Sequence, residues 1–258
     1  MKLLAIMGVM VSAVAGVSSA SAAFDYTSQT VTVGVHKNME ATLFIPKGPG
    51  PFPTILEMHT SGGIQEADRG YCANLAREGY ICIAPAFLRA HGITNAELRR
   101  KSFTSEAKPI FDDFVEIIGE LNALPQAKKG ATGAVGFSNG GFFAVLLAAT
   151  RKVQAGVSYY GALDGARTQP DLPLFRKWFT AQSSPVLVLA GENDTTIGME
   201  PPHKLEEIMK AVGARYEIKY YPATGHDFDR SGGTGPNNAA SAADAWQRTL
   251  AFLRANGV

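Results

Sequence analysis

The segment Val135-Gly136-Phe137-Ser138-Asn139-Gly140-Gly141-Phe142 leaves a chain few ways to fold around it. A short, mostly apolar run, Ala131 to Val135, precedes it behind the turn residues Lys128, Lys129 and Gly130. A helix-favouring apolar run, Phe142 to Thr150, follows without a break. Strand, tight turn and helix are therefore expected in direct succession, with Ser138 at the turn. A serine there takes a strained backbone conformation only if its neighbours are small, and Gly136 and Gly140 supply that smallness. The helix beginning near Asn139 turns its free N–H groups and positive dipole end toward whatever bonds to Ser138. Taken alone, Gly-x-Ser-x-Gly is equally a plain Gly-rich packing turn, so the rest of the chain decides between the two readings.

The 258 residues carry a formal charge of +1, with 46% hydrophobic and 18% charged side chains. That is the balance of an ordinary soluble domain, without the basic excess that nucleic acid calls for. Met1-Lys2, the apolar run Leu3 to Val17 and the small residues Ser18 to Ala23 have the three parts of a secretory signal peptide, with cleavage expected after Ala22 or Ala23. The apolar run falls short of the ~20 residues that span a bilayer. A periplasmic or secreted protein with no membrane attachment after cleavage is expected, its residues 24–258 forming one domain undivided by a linker. Cys72 and Cys82 are the only cysteines. An oxidising compartment permits a disulfide between them, while two small buried hydrophobes, one in a helix and one in the next strand, is the competing reading.

Two-residue alternation makes strands of Thr27 to Val35 and Met39 to Ile45, joined antiparallel across His36-Lys37-Asn38. Further strands are expected over Thr54 to Met58, Tyr80 to Pro85, Ala155 to Tyr160, Val186 to Ala190 and Tyr216 to Tyr221. Helices alternate with them over Ala67 to Glu78, Ile110 to Leu124, the run after Ser138, Lys204 to Val212 and Ala239 to Ala255. Such alternation implies an α/β fold with a parallel sheet. Phe87 to Lys108 and Gly161 to Gln182 have no readable pattern beyond a short helix within Asp171 to Gln182, and Ser231 to Asn238 reads as a loop.

In open α/β sheets catalytic groups gather beyond the carboxyl ends of the strands, and Ser138, Asp194 and His226 each follow an expected strand there. Their order along the chain is the one α/β-hydrolases use. A serine hydroxyl is a weak nucleophile until a neutral imidazole takes its proton, and the imidazole needs a carboxylate to fix its tautomer and stabilise its charged form. Ser138, His226 and Asp194 fill those roles. Asp227 is the rival carboxylate but is adjacent to the histidine in sequence and poorly placed to meet its ring from behind; Glu192 is a weaker second choice. An oxyanion hole needs two N–H donors. Asn139 gives one, and the Gly-rich loop His59-Thr60-Ser61-Gly62-Gly63 the other, with Ser61 favoured and Thr60 second.

These residues resemble the dienelactone hydrolase family of α/β-hydrolases over most of the chain after Phe24. Pro51-Phe52-Pro53, Gly79-Tyr80 with Ala84-Pro85, Gly136 to Gly141, Tyr159-Tyr160-Gly161, and Gly225-His226-Asp227-Phe228 with Arg230 fall in family order. The resemblance implies an eight-stranded, mostly parallel sheet with helices on both faces and no large lid. It also implies a hydrolase of small esters or lactones that needs no cofactor and no metal. Two departures matter. The family's best-known members use cysteine where this chain has Ser138, and a glutamate where it has Thr60, so an ordinary serine mechanism is expected. The family also binds a substrate carboxylate through arginines, matched here by Arg230 and, one residue out of register, by Arg89; these two and Thr60 are the candidate substrate-binding residues. A peptidase or acyltransferase on the same scaffold, and a non-catalytic binding protein with a hydrolase fold, are the alternatives.

Overall fold

β1 (Tyr26–Val33) and β2 (Met39–Pro46) form the antiparallel pair that the alternation implies, with Thr30 opposite Thr42. The computed structural model describes residues 23–165, 167–230 and 238–258, so the signal-like segment 1–22 and residues 231–237 of the expected loop lie outside the described residues. β3 (Phe52–Met58), β4 (Ile81–Pro85), β5 (Ala127–Phe137), β6 (Ala155–Tyr159), β7 (Val186–Gly191) and β8 (Tyr216–Tyr221) complete an eight-stranded sheet in the order β1-β2-β4-β3-β5-β6-β7-β8. β2 meets β4 antiparallel, and every later pairing is parallel.

The helices are α1 (Glu66–Arg77), α2 (Phe87–Ala90), α3 (Ala107–Ala123), α4 (Asn139–Ala149), α5 (Pro173–Trp178), α6 (Glu200–Ala211) and α7 (Asn238–Ala255). Successive strand residues point to opposite faces. Ile55, Val135 and Leu187 therefore pack with Cys72 and Leu75 of α1 and Ala245 and Leu253 of α7. Their neighbours Leu56, Ala134 and Val188 pack with Phe114 of α3, Val145 of α4 and Leu205 of α6. Each large apolar side chain buried this way contributes about 1.5–3 kcal/mol. α4 is buried along its whole length, which its sequence anticipates by being apolar all round. Ser138, immediately ahead of it, is thereby set at the middle of the sheet.

The Cys72 and Cys82 sulfurs are bonded to each other, joining α1 to β4, which decides between the two readings of the cysteines. Three segments differ from expectation. Lys128, Lys129 and Gly130 belong to β5 rather than to a turn before it; the strand extends past the core, so its charged start is exposed. α6 begins at Glu200, ahead of the expected Lys204, because Pro201 and Pro202 sit in the first turn, where a missing N–H costs nothing. The patternless stretch after β4 holds α2 and a short 3-10 helix, Arg99–Phe103. Among the described residues no helix is long and apolar enough to cross a membrane.

Candidate active site

Between the last residue of β5 and the first of α4, Ser138 adopts φ 50° and ψ −107°, a conformation a residue with a Cβ holds only under constraint. The constraint is visible. The Ser138 N–H donates to Tyr159 O at 2.9 Å, and its carbonyl accepts from Gly141 N at 3.0 Å and Ala162 N at 2.9 Å. A Cβ on Gly136 would lie 2.1 Å from the Gly140 carbonyl oxygen, and one on Gly140 2.0 Å from that of Met58. Both glycines are required because backbone crosses backbone here.

Two loops carry the other members. Gly191, at the end of β7, approaches the loop after β8 so closely that a Cβ would meet Thr224 O at 2.3 Å, and Asn193 N donates to that same oxygen at 2.9 Å. This contact brings Asp194 and His226 together. His226 Nε2 lies 3.0 Å from Ser138 Oγ, and Nδ1 lies 2.7 Å from Asp194 Oδ2. The other carboxylate oxygen of Asp194 accepts from the N–H groups of Thr196 and Ile197, each at 2.9 Å. Because Oδ2 can only accept, Nδ1 carries a proton toward it, which leaves the Nε2 lone pair facing the serine when the ring is neutral. Ser138, Asp194 and His226 are only 6–7% exposed. The rival acids stand elsewhere: Asp227 has a buried Oδ1 with no hydrogen-bond partner, and Glu192 is exposed.

Ser61 and Asn139 border one cavity with Ser138, of about 180 Å³. Asn139 opens α4, where helix N–H groups have no partner within the helix, and its side chain donates to Ser102 Oγ at 2.8 Å. The turn holding Ser61 is fixed through Thr60, whose hydroxyl accepts from Gly62 N at 3.2 Å and whose carbonyl lies 2.6 Å from His59 Nδ1. A carbonyl can only accept, so Nδ1 of His59 is the protonated nitrogen. His59 itself is wholly buried against Phe87, and desolvation lowers its pKa to about 4, keeping it neutral.

Arg230 borders a second hollow of about 340 Å³ together with Thr60, Ser138 and His226, and it does so from within the protein, its Nη1 without a hydrogen-bond partner. Its side chain is 7% exposed and lies 2.6 Å from fully buried Asp68 Oδ1, an ion pair whose angle falls outside hydrogen-bond geometry. Nε donates to Tyr160 OH at 3.1 Å, and the guanidinium stands 4.6 Å above the Phe137 ring. Tyr160 OH in turn donates to Asp229. Burial works against the Arg230 charge, yet Tyr160, Asp68 and Asp229 outweigh it and hold the pKa above its ordinary value. Glu57 lies in the same buried set with both oxygens unpartnered; burial first, then the charge of Asp68, raises its pKa well above the carboxylate range. Arg89 is exposed on α2 and borders neither hollow at Ser138. The arginines there besides Arg230 are Arg99 and Arg167, which no periodicity or motif singled out. Among the described residues no group of three or more His, Cys, Asp or Glu is arranged to hold a metal ion.

Residues 39–257 match the model of the dienelactone hydrolase family. This chain belongs to that family. A carboxymethylenebutenolidase of Rhodococcus opacus is 30% identical over 211 residues, covering 79% of this chain and 81% of its own. An Escherichia coli K12 relative is 30% identical over 231 residues, covering 85% and 83%. A solved Klebsiella pneumoniae structure superposes with a TM-score of 0.74 at 25% identity, over 89% of this chain and 99% of its own.

Proposed function

We propose that this chain is a serine hydrolase that cleaves small carboxylic esters or lactones through an acyl-enzyme. The observation carrying the reading is the unbroken line from Asp194 through His226 to Ser138, with contacts of 2.7 and 3.0 Å. In the first half-reaction Ser138 Oγ attacks the substrate carbonyl carbon while His226 Nε2 takes its proton. The N–H groups of Asn139 and Ser61 receive the oxyanion. The bond to the alcohol oxygen then breaks and His226 returns the proton to it; in a lactone the alcohol stays tethered to the acyl group. Water, activated by the same imidazole, releases the acid. Asp194 holds the ring in the tautomer that both steps use.

Arg230 enters this scheme as a positioning residue that ties the His226 loop to α1. Export to the periplasm or medium is part of the same proposal. Its support is the signal-like Met1 to Ala23, together with a disulfide that an oxidising compartment preserves.

Labelling with a fluorophosphonate probe and turnover of p-nitrophenyl acetate test the reading. Wild type should label and turn over; Ser138→Ala should lose the label and several orders of magnitude in kcat. A purified, folded Ser138→Ala variant within about tenfold of wild type would remove the serine from the mechanism.

A further inference from the structure

Ser138 borders two hollows, and the chemistry assigns them different halves of the substrate. One holds His226, which must deliver a proton to the leaving alcohol, so the alcohol lies on that side. The other, of about 180 Å³, is bounded by Asn139, Ala162, Ile197 and Phe103 and is left for the acyl chain. It is too small for more than a short one. Behind Phe103 lies a much larger hollow of about 1100 Å³ between α3, α4 and α5, lined by Ala107, Phe111, Leu146, Ala149, Leu174 and Trp178. Among the described residues Phe103 is the one that lines both.

Phe103 is 3% exposed, and its ring packs edge-on against Phe142, 5.2 Å between centroids. Three contacts fix it relative to the nucleophile. Ser102, its neighbour, accepts the Asn139 side chain at 2.8 Å; its carbonyl accepts Gln169 Nε2 at 2.8 Å; and Gly165 passes so near that a Cβ there would lie 3.0 Å from Phe103 Cβ. The ring is thus a partition held in register with the residue that follows Ser138.

We propose that Phe103 is the specificity-determining wall of the acyl site. It limits the enzyme to short acyl groups, and the apolar hollow behind it accommodates longer unbranched chains once the ring is removed. The proposal rests on the ester-hydrolase reading and deepens it.

The test compares kcat/KM for p-nitrophenyl octanoate with that for p-nitrophenyl acetate in wild type, Phe103→Ala and Phe103→Leu, the second guarding against misfolding of the first. Each buried methylene favours binding by about fourfold, so partial occupation of the hollow should raise the octanoate-to-acetate ratio by about tenfold or more in Phe103→Ala and by less in Phe103→Leu. Adding Ala107→Trp to Phe103→Ala fills the hollow and should return the ratio toward wild type. A matching series of alkyl acetates, lengthened on the alcohol side, should show no such gain. An unchanged octanoate-to-acetate ratio in folded variants that still turn over acetate would overturn the wall, as would a wild type that already prefers octanoate. A gain that survives Ala107→Trp, or that appears on the alcohol side, would overturn the assignment of the hollow. Ser138→Ala is measured alongside: absence of serine-dependent turnover in wild type would instead defeat the hydrolase reading, and the wall with it.

Discussion

Replacing Arg230 with alanine should unfold this protein more readily than it changes substrate preference. The guanidinium is 7% exposed and its partner Asp68 is fully buried, so the variant leaves a carboxylate in the interior with no counter-charge. Breaking a buried ion pair from one side costs about 3–5 kcal/mol. For a chain of this length each kcal/mol lowers Tm by about 2–4 °C, giving a drop of about 6–20 °C. The lost bond to Tyr160 and the lost stacking on Phe137 act in the same direction. Urea and thermal unfolding of Arg230→Ala measure the loss, and Arg230→Met combined with Asp68→Asn should recover part of it, because the pair is then removed together. In the folded fraction, kcat/KM should fall by similar factors for an anionic and a neutral ester of equal size. An Arg230→Ala variant with wild-type urea midpoint and a tenfold selective loss on the anionic ester would refute this account and restore the arginine to the substrate.

Asp194→Asn should lower kcat by several orders of magnitude by favouring the wrong His226 tautomer, whereas Asp227→Asn should cost much less; a larger loss from Asp227→Asn would reassign the acid. Glu57 has a folded-state pKa raised from 4.5, so it binds a proton that the unfolded chain releases, and the stability this brings is lost as pH rises toward the folded value. Glu57→Gln should therefore gain on wild type by up to about 1.4 kcal/mol per pH unit above pH ~4.5 in urea titrations, and a pH-independent difference would sink the idea. His59, with its pKa lowered to about 4, acts oppositely, losing stability as pH falls toward that value, but it is common to both proteins and cancels in the comparison.

What could be read from the sequence was what is encoded within a few residues. Two-residue alternation placed the first strand pair, helical spacing marked Phe111, Phe114, Ile117, Ile118 and Leu121 in α3, all buried except half-buried Phe111, and the glycines flanking Ser138 marked a turn with room only for small residues. The geometry that joins Asp194 to His226 was legible only as chain order, because the contact that creates it, Gly191 against Thr224, links two separate loops. The stretch 87–108 gave no pattern for a related reason. Its 3-10 helix is short, and Phe103 takes its place from contacts with Asn139, Phe142 and Gln169 that lie far along the chain. Arg230 has one partner that the sequence keeps near it, Asp229 at 3.8 Å from its Nε, and one that it does not, because Asp68 at 2.6 Å reaches it only through the packing of α1.

That partner changes what the site can select. With Arg230 neutralised by Asp68, the cations left near Ser138 are Arg99 and Arg167, both exposed. A solvent-exposed arginine contributes about 0–1 kcal/mol to an ion pair and is screened by salt. Asp164 borders the same cavity, 9% exposed and with a buried, unpartnered Oδ1, and it repels a carboxylate brought in beside Ser138. The remaining walls of this cavity are apolar at Phe103, Ala162 and Ile197 and polar but uncharged at Ser61, Asn139 and Thr196. The charges that could attract an anion are thus weak and outside, while the one charged side chain set into the wall, Asp164, opposes an anion. Discrimination at this site therefore falls to shape, and the residue that sets the shape is Phe103.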